Sequence, residues 1–191
     1  MLELQERILR DGKVLPGNII KADGFLNHRI DPLLMEQIAW EFGRRFDMNA
    51  VTLILTAESS GIAVASFVSR KFAKPFLFAK KSQSLNLPDD VYRSEIFSYT
   101  YQKPVTLMVS KEWIDASDRV LILDDFLANG EAIRGLMEIV RQSGAELVGV
   151  GCAVEKGFQG GGDRLRAEGV NLQSLTVIDS AEPGSITFRD A

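Results

Sequence analysis

Residues 119–132 read RVLILDDFLANGEA, which is an apolar run, two consecutive aspartates and a small turn with one glycine. Residues 120–123 predict a buried β-strand, and residues 130–142 predict a helix that begins directly after the turn. In a mostly parallel sheet this order places Asp124 and Asp125 at the carboxyl edge, where α/β proteins bind ligands. The turn also offers main-chain N–H groups at a helix N-terminus, so the stretch predicts an anion site beside two carboxylates.

The pairing of two carboxylates with an anion site restricts the kind of ligand that fits. Two carboxylates repel a bare phosphate, so we expect them to face hydroxyl groups or a divalent cation while the phosphate lies further into the turn. A ribose 5-phosphate meets that description. The stretch lacks the Gly-Lys-Ser/Thr of a Walker A loop and the three glycines of a dinucleotide-binding fingerprint. Taken alone, adjacent aspartates after a strand are also common as solvent-facing turn residues or a helix cap.

The rest of the chain alternates apolar runs with helical patterns, which predicts an α/β fold with a mostly parallel, twisted sheet flanked by helices. Helices are predicted at residues 32–46, after the N-cap Asp31, and at residues 60–72. Further strands are predicted at four short apolar runs, residues 51–55, 75–79, 105–109 and 147–154.

Composition excludes several classes of site. The chain has 191 residues, of which 46% are hydrophobic and 25% charged, as in ordinary globular proteins. Cys152 is the only cysteine and His28 the only histidine, so neither an intrachain disulfide nor a zinc site of the Cys/His type can form. With 22 Lys and Arg against 26 Asp and Glu the net charge is −4, and without a basic block we expect no nucleic-acid partner.

The chain also carries no sign of a membrane segment or a linker. No apolar run approaches the ~20 residues that cross a bilayer, and the charged start MLELQERILR is unlike a signal peptide. No repeat or low-complexity tract divides the chain. We therefore expect one domain, residues 1–191, that acts in the cytoplasm and has no membrane partner.

One polar stretch, residues 80–103, does not fit the alternation. It separates two predicted strands by more than twenty residues and has no sustained period. Loops of that length inside a compact domain are usually lids or disordered segments. We predict a mobile active-site loop at about residues 82–103, with a long β-hairpin as the alternative.

Six strings along the chain resemble those of the type I phosphoribosyltransferases and, within that family, of its xanthine phosphoribosyltransferase subfamily. They are LRDGKVLPGNIIKADGFLNHRIDP (9–32), TAESSGI (56–62), FAKKSQSLNL (78–87), FSYTYQ (97–102), DDFLANGEA (124–132) and VEKGFQGG (154–161). The resemblance implies the type I phosphoribosyltransferase fold, with a core at about residues 32–155. It also implies a small hood built from the two chain ends, at about residues 1–31 and 156–191.

The resemblance implies an activity as well. A phosphoribosyltransferase of this subfamily moves the 5-phosphoribosyl group of phosphoribosyl pyrophosphate to N9 of xanthine, giving xanthosine 5′-monophosphate and pyrophosphate in purine salvage. It implies Mg²⁺ that is carried by the substrate's pyrophosphate without direct protein ligands, and a homodimer. The alternatives are a phosphoribosyltransferase for adenine or another purine, or a nucleic-acid-binding regulator that responds to phosphoribosyl pyrophosphate.

Site residues follow from the same resemblance. Asp124 and Asp125 are the implied catalytic residues and contact the ribose hydroxyls. The implied 5′-phosphate residues are Ala128, Asn129, Gly130, Glu131 and Ala132, with Glu131 contributing its main-chain N–H alone. The implied pyrophosphate residues are Glu58, Ser59, Ser60, Gly61, Lys80 and Lys81. The implied base-binding residues are Ile20, Asn27 and Lys156.

Some of these residues have plainer explanations. A simple helix N-cap at Ser59 or Ser60 accounts for the composition of that loop. Phe158 is a candidate for stacking on the purine, but a core position is at least as well supported among the eleven phenylalanines. His28 is expected to support the turn at Asn27 rather than to take part in catalysis.

Overall fold

A central six-stranded sheet organises the chain in the computed structural model, which describes residues 1–82, 90–98 and 103–189. The strand order is β10-β9-β8-β7-β3-β4. All neighbours are parallel except the edge strand β10, which runs antiparallel to β9. The strands are β3 (Leu53–Ala57), β4 (Phe76–Ala79), β7 (Arg119–Leu127), β8 (Glu146–Lys156), β9 (Leu172–Glu182) and β10 (Ser185–Phe188). The expected α/β fold with a mostly parallel sheet is confirmed.

In the part of the chain that the structure describes, the α-helices are α1 (Leu2–Asp11), α2 (Pro32–Arg45), α3 (Gly61–Phe72), α4 (Glu131–Ser143) and α5 (Gly161–Ala167). Helix α2 begins as predicted, because the Asp31 carboxylate accepts hydrogen bonds from the main-chain N–H groups of Leu33 (3.0 Å) and Leu34 (3.3 Å). Helix α4 ends where Gly144 takes a left-handed conformation with φ +76°, which favours glycine.

Each face of the sheet carries its own hydrophobic core. On one face α1, α2 and α3 bury side chains such as Leu4, Phe42 and Val68 against the sheet. On the other face α4 and the hairpin of β5 (Val91–Ser98) and β6 (Lys103–Ser110) bury Leu136 and Leu107. Burial on both faces explains why the central strands are continuous apolar runs.

The hairpin corrects one prediction. Residues 105–109 lie in β6, but β6 pairs antiparallel with β5 in a separate two-stranded sheet and is not a strand of the central sheet. The apolar residues of β6 are buried toward α4, which gives the strand its hydrophobic pattern. Part of the polar stretch, residues 91–98, is a strand because its main chain pairs with β6, so the hairpin alternative is confirmed for those residues. Residues 83–89 and 99–102 of the predicted loop lie outside the described residues.

Several strand boundaries also differ from the predictions. Strand β3 covers residues 53–57 rather than 51–55, and β7 continues to Leu127 rather than ending at residue 123. Asp124 and Asp125 are therefore part of β7, because its pairing with β8 extends through Leu127. The carboxylates are fixed by the sheet instead of standing in a free turn.

The two chain ends behave differently from each other. The N-terminal segment, with the small hairpin of β1 (Lys13–Leu15) and β2 (Ile19–Lys21) and a π-helical turn at Asp23–Asn27, packs against the sheet through Phe25 and Leu26. The C-terminal segment supplies β9 and β10 to the central sheet, so the sheet extends beyond the predicted core limit at residue 155. The reason is the buried apolar face of β9, which includes Leu175 and Ile178.

None of the helices in the described ranges is long and apolar enough to span a membrane.

Candidate active site

A cavity of about 440 Å³ opens at the carboxyl edge of the central sheet. It lies where β3, β7 and β8 end, and residues at the end of each strand or directly after it line the cavity. This is the edge where parallel α/β sheets bind ligands, because loops and helix N-termini converge there. We call it the main cavity.

Asp125 links three separate parts of the chain at this cavity. Its side chain is 4% exposed, and both carboxylate oxygens accept hydrogen bonds. Asn27 Nδ2 donates to Oδ2 at 2.9 Å, and Ser60 Oγ donates to Oδ1 at 2.8 Å. The π-helical turn and the start of α3 are therefore both held to β7 through one carboxylate.

Asp124 is buried beside Asp125, with 7% of its surface exposed. Its Oδ1 accepts a hydrogen bond from the main-chain N–H of Asp125 at 2.9 Å. Burial away from water raises the pKa of Asp124 well above its ordinary value, and the negative charge of Asp125 adds to the rise. Gly61 packs tightly beside it, since a Cβ at that position would lie 2.1 Å from Thr56 Oγ1 and 2.9 Å from Asp124 Oδ1. Asp124 therefore holds its proton more tightly than an ordinary aspartate does, beside the hydrogen-bonded side chain of Asp125.

The phosphate loop, which we define as residues 128–132, borders the main cavity along its whole length. Gly130 adopts φ +89° as the N-cap of α4, a left-handed conformation that glycine tolerates best. Gly130 has no side chain with which to cap this helix, so an anion can accept hydrogen bonds from the first main-chain N–H groups of α4. Glu131 is the first residue of α4, a position that suits the predicted hydrogen bond from its main-chain N–H to a phosphate.

The β3 loop, which we define as residues 58–61, faces the phosphate loop across the cavity. Glu58 and Ser60 line the main cavity, whereas Ser59 lines a smaller cavity of about 280 Å³ beside it. The Glu58–Ser59 peptide is cis. The Glu58 carboxylate accepts a hydrogen bond from the main-chain N–H of Lys81 at 2.6 Å. Ser60 Oγ makes no cap hydrogen bond to α3, so the simple N-cap explanation does not describe its side chain.

The implied base-binding residues come together at the other end of the main cavity, where Ile20, Asn27 and Lys156 all contribute to the wall. Lys156 Nζ lies 5.6 Å from the ring centroid of Phe126. Burial lowers the pKa of Lys156, while the negative charge of Asp125 opposes that shift. A donor-rich surface therefore borders an aromatic ring and a carboxylate.

Not every predicted residue borders the main cavity. Gly61 is covered by Thr56 and Asp124, and Lys80 pairs through its main chain with Met108 at 2.9 Å in both directions, whereas Lys81 borders both cavities. Phe158 packs against the core, so the stacking hypothesis does not describe its position. His28 is exposed at the end of the π-helical turn.

Several residues of the cavity walls were missed, among them Phe126, Ile96, Phe97 and Lys103. Phe126 lines the main cavity, and its place directly after the two aspartates in β7 was a usable signal. Ile96 and Phe97 reach the main cavity from β5, and Lys103 reaches the smaller cavity from β6. Only the folded hairpin brings these three side chains to the site, so the sequence pattern carried no signal for them.

Within the described residues, no group of three or more His, Cys, Asp and Glu side chains is arranged to hold a metal ion. Glu58, Asp124, Asp125 and Glu131 all border the main cavity, but they do not form a cage. This donor set fits a cation that a phosphate ligand carries more readily than one that the protein encloses.

Comparison with known proteins agrees with this geometry. Residues 28–166 match the family described as the phosphoribosyl transferase domain. The chain is 48% identical over 188 residues to a xanthine phosphoribosyltransferase of Bacillus mycoides, covering 98% of this chain and 95% of that protein. It is 47% identical to a xanthine phosphoribosyltransferase of Bifidobacterium adolescentis, covering 99% and 100%.

Solved structures share the fold at lower identity. The adenine phosphoribosyltransferase of Saccharomyces cerevisiae superposes with a TM-score of 0.74 at 18% identity, over 92% of this chain and 99% of that chain. The enzyme of the same name from Trypanosoma brucei gives a TM-score of 0.73 at 20% identity, over 91% and 78%. At such identities the likeness concerns the fold alone.

Proposed function

This chain belongs to the phosphoribosyltransferase family, and from that membership we propose that it is a pentosyltransferase acting on xanthine. It transfers the 5-phosphoribosyl group of phosphoribosyl pyrophosphate to N9 of xanthine, giving xanthosine 5′-monophosphate and pyrophosphate in purine salvage. The observation that carries the proposal is the likeness to xanthine phosphoribosyltransferases along nearly the full length of both chains. The geometry of the main cavity supports the same reaction.

The phosphoribosyl group fits between the phosphate loop and the two aspartates. The 5′-phosphate accepts hydrogen bonds from main-chain N–H groups at the start of α4, which need no basic side chain. The ribose 2′ and 3′ hydroxyls then face Asp124 and Asp125. As pyrophosphate departs, positive charge develops on the ribose, and a carboxylate already held by Asn27 and Ser60 stabilises that charge without reorganising.

Pyrophosphate is placed on the opposite side, at the β3 loop and the two lysines that follow β4. Lys81 borders both cavities and Lys103 borders the smaller one, so cationic side chains reach the space that a diphosphate would occupy. Mg²⁺ carried by the substrate would neutralise the diphosphate and make it a better leaving group. The dispersed carboxylates of the cavity fit an ion that arrives in this way.

Base selection is assigned to the residues around Lys156. Xanthine has two oxo groups, so a site that favours it needs hydrogen-bond donors at both positions. The Lys156 ammonium donates to one, and the Asn27 amide keeps a second N–H and its carbonyl oxygen after donating to Asp125. Ile20 contributes through its main chain, and the Phe126 ring offers an apolar face for the purine.

Two further parts of the proposal concern the protein as a whole. The β5–β6 hairpin supplies Ile96 and Phe97 to the cavity wall, which supports a role of this region in shielding the reacting ribose from water. We also propose a homodimer that acts in the cytoplasm, as the sequence and the resemblance predict.

The alternatives make different chemical demands. Adenine would present its amino group to Lys156, so that two donors would oppose each other. A nucleic-acid-binding regulator would need a basic surface, whereas the net charge of this chain is −4. Salt-dependent retention of DNA in a gel shift, without transferase activity, would support the regulator.

A substrate panel tests the assignment. Xanthine, guanine, hypoxanthine, adenine and orotate are supplied with phosphoribosyl pyrophosphate and Mg²⁺, and pyrophosphate release is followed. We expect the highest kcat/KM with xanthine. Release with none of the five bases would remove the transferase assignment, and a preference for adenine would overturn the role given to Lys156.

The variant Lys156→Met tests the base subsite directly, with the same panel of bases. The variant removes one donor from the base subsite, so kcat/KM for xanthine should fall by about 10²-fold or more, whereas adenine, which has no oxo group for the ammonium to bind, should not lose activity. Lys111→Met, at an exposed lysine outside both cavities, is the matched control and should leave the base preference unchanged. Equal losses for xanthine and adenine would contradict the assigned role.

A further inference from the structure

Helix α5 packs directly against the outer side of the phosphate loop. A Cβ on Gly161 would lie 2.1 Å from the Ala128 carbonyl oxygen and 2.8 Å from the Gly130 nitrogen, so the two main chains touch. Arg164 Nη2 also donates to the Asn129 carbonyl oxygen at 3.2 Å. No residue of α5 lines the main cavity, so the helix meets the loop only from behind.

An ion pair between the half-buried Arg166 and the buried Glu155 fixes α5 to strand β8. Arg166 donates from Nη1 and Nη2 to the two carboxylate oxygens of Glu155, at 2.9 and 2.6 Å. Glu155 is fully buried and also accepts a hydrogen bond from Ser174 Oγ. Gly162 lies so close that a Cβ would stand 2.0 Å from Glu155 Oε1. A guanidinium and a carboxylate joined by two parallel bonds hold their backbones in one relative orientation.

Glu155 occupies the junction between the two halves of the site. In the sheet it is the register partner of Leu127, which directly precedes the phosphate loop. Its neighbour in β8 is Lys156, which borders the base end of the main cavity. The buried Glu155 therefore directly precedes Lys156 of the base subsite. Through its ion pair with Arg166 it also contacts α5, which packs against the phosphate loop on the side away from the cavity.

The ends of α5 and α4 are joined as well. Arg134, near the start of α4, donates to both carboxylate oxygens of Glu168, just after α5, at 2.8 and 2.6 Å. Leu165 is buried and faces the phosphate loop, 3.6 Å from the position of a Cβ on Gly130. The phosphate loop therefore lies between two helices. It leads into the N-terminus of α4, and α5 packs against its carbonyl groups.

We propose that Glu155 and Arg166 are positioning residues for the 5′-phosphate subsite, which act by holding α5 against the phosphate loop. Neither side chain borders the main cavity, so neither contacts substrate directly. The inference rests on the proposed function, since it assumes that this loop binds the 5′-phosphate. A buried ion pair replaced on both sides by neutral groups often costs little stability, so its geometric role can be separated from its contribution to folding.

The double variant Glu155→Gln/Arg166→Met tests the proposal. It removes both charges together and avoids an unpaired buried carboxylate, so the protein is expected to fold. Ribose 5-phosphate is the probe of the 5′-phosphate subsite, and its Kd is measured by titration calorimetry without turnover. We expect that Kd and the KM for phosphoribosyl pyrophosphate to rise about tenfold, as for a small misplacement of binding groups.

Two further measurements distinguish a positioning role at the 5′-phosphate subsite from a general loss of order in the whole site. Inhibition by inorganic pyrophosphate should change by less than about twofold, because α5 holds the phosphate loop and β8 whereas pyrophosphate is assigned to the β3 loop, and kcat should change less than KM. Arg119→Met/Glu146→Gln removes the ion pair between β7 and β8 at their amino ends (2.6 Å), and this control should bind ribose 5-phosphate like the wild type. Equal weakening of ribose 5-phosphate and pyrophosphate would overturn the proposal.

A more conservative variant covers the case in which the double variant does not fold. Arg166→Lys keeps the charge but loses the two-pronged contact, so it should weaken ribose 5-phosphate binding in the same direction and by a smaller factor. Wild-type affinity in either folded variant would overturn the positioning role. Failure of the wild-type protein itself to bind ribose 5-phosphate would instead contradict the proposed function.

Discussion

The phosphate loop and the β3 loop both join a parallel strand to a helix at the same edge of the sheet, yet they use their polar atoms differently. The phosphate loop turns its main chain toward the cavity, with Gly130 at φ +89° and the Asn129 carbonyl oxygen held from behind by Arg164. In the β3 loop the side chains are bound inside the protein, Ser60 to Asp125 and Glu58 to the N–H of Lys81.

Two helix N-termini that follow parallel strands can therefore serve one site in different ways, one through its main-chain N–H groups and the other through side chains that hold Asp125 and the main chain of Lys81. In the phosphate loop the N-cap Gly130 has no side chain, and the Asn129 carbonyl oxygen accepts a hydrogen bond from Arg164 of α5. The β3 loop instead holds the Asp125 carboxylate through Ser60 and borders the neighbouring cavity. Asp125 connects the two loops. It lies in β7 shortly before the phosphate loop, and it accepts a hydrogen bond from Ser60 of the β3 loop.

The largest expected effect on kcat/KM comes from removing the negative charge of Asp125. Asp125→Asn keeps the shape of the side chain but lowers its ability to stabilise positive charge on the ribose, so kcat/KM should fall by about 10³-fold. Steady-state kinetics with xanthine measure this, and circular dichroism checks that the variant is folded.

Asp118→Asn is the matched control for Asp125→Asn. Asp118 precedes the opposite end of β7 and likewise accepts a hydroxyl, from Thr52 Oγ1 at 2.8 Å. Its replacement should leave kcat/KM within about twofold, since it lies outside both cavities. Near-normal turnover in Asp125→Asn would remove the catalytic role from this carboxylate.

Asp124 gives the second prediction, which concerns stability across pH. Its pKa is raised in the folded protein, so the folded state holds this proton more tightly than the unfolded chain does. The resulting stability is fully present below the ordinary aspartate pKa of 3.8 and is lost as the pH rises through the raised value. Asp124→Asn does not titrate, so its Tm relative to the wild type should increase from pH 4 to pH 8.

Thermal unfolding at several pH values measures that difference. Asp47→Asn, at an exposed turn, is the control and should follow the wild-type curve more closely over the same range. Parallel curves for the wild type and Asp124→Asn would show that burial does not hold a proton on Asp124.

The smallest effect is expected at the β3 loop. Ser60→Ala removes the hydroxyl that donates to Asp125 Oδ1, and a lost hydrogen bond to a charged group corresponds to about a tenfold fall in kcat/KM. Ser66→Ala removes a hydroxyl from the same helix, where it donates to the Ile62 carbonyl oxygen at 2.7 Å, and it should have little effect. Equal effects of the two serines would mean that Ser60 supports only α3.

Local sequence patterns predicted the parts of the site that are continuous in the chain. The strand, the two aspartates and the turn before α4 follow one another in residues 119–132, so hydrophobic period and turn composition were sufficient. The register of β7 was not predictable in the same way. The pairing of β7 with β8 extends the strand to Leu127 and places both aspartates inside the sheet.

The β5–β6 hairpin shows what local sequence patterns could not predict. Residues 91–98 are polar and have no clear strand period, and they form β5 because their main chain pairs with β6. That pairing brings Ile96 and Phe97 to the cavity. Secondary structure that depends on a partner strand elsewhere in the chain is decided by tertiary contacts.

The sequence by itself determined the fold class, the family resemblance and the carboxylate pair beside an anion loop, because these depend on near neighbours or on matching strings. Only the tertiary structure decided that Asn27 and Ser60 hold Asp125, and that Glu155 and Arg166 support the phosphate loop through α5. These contacts join residues 98, 65 and 11 positions apart. Their geometry follows from how the strands and helices pack, which no local period encodes.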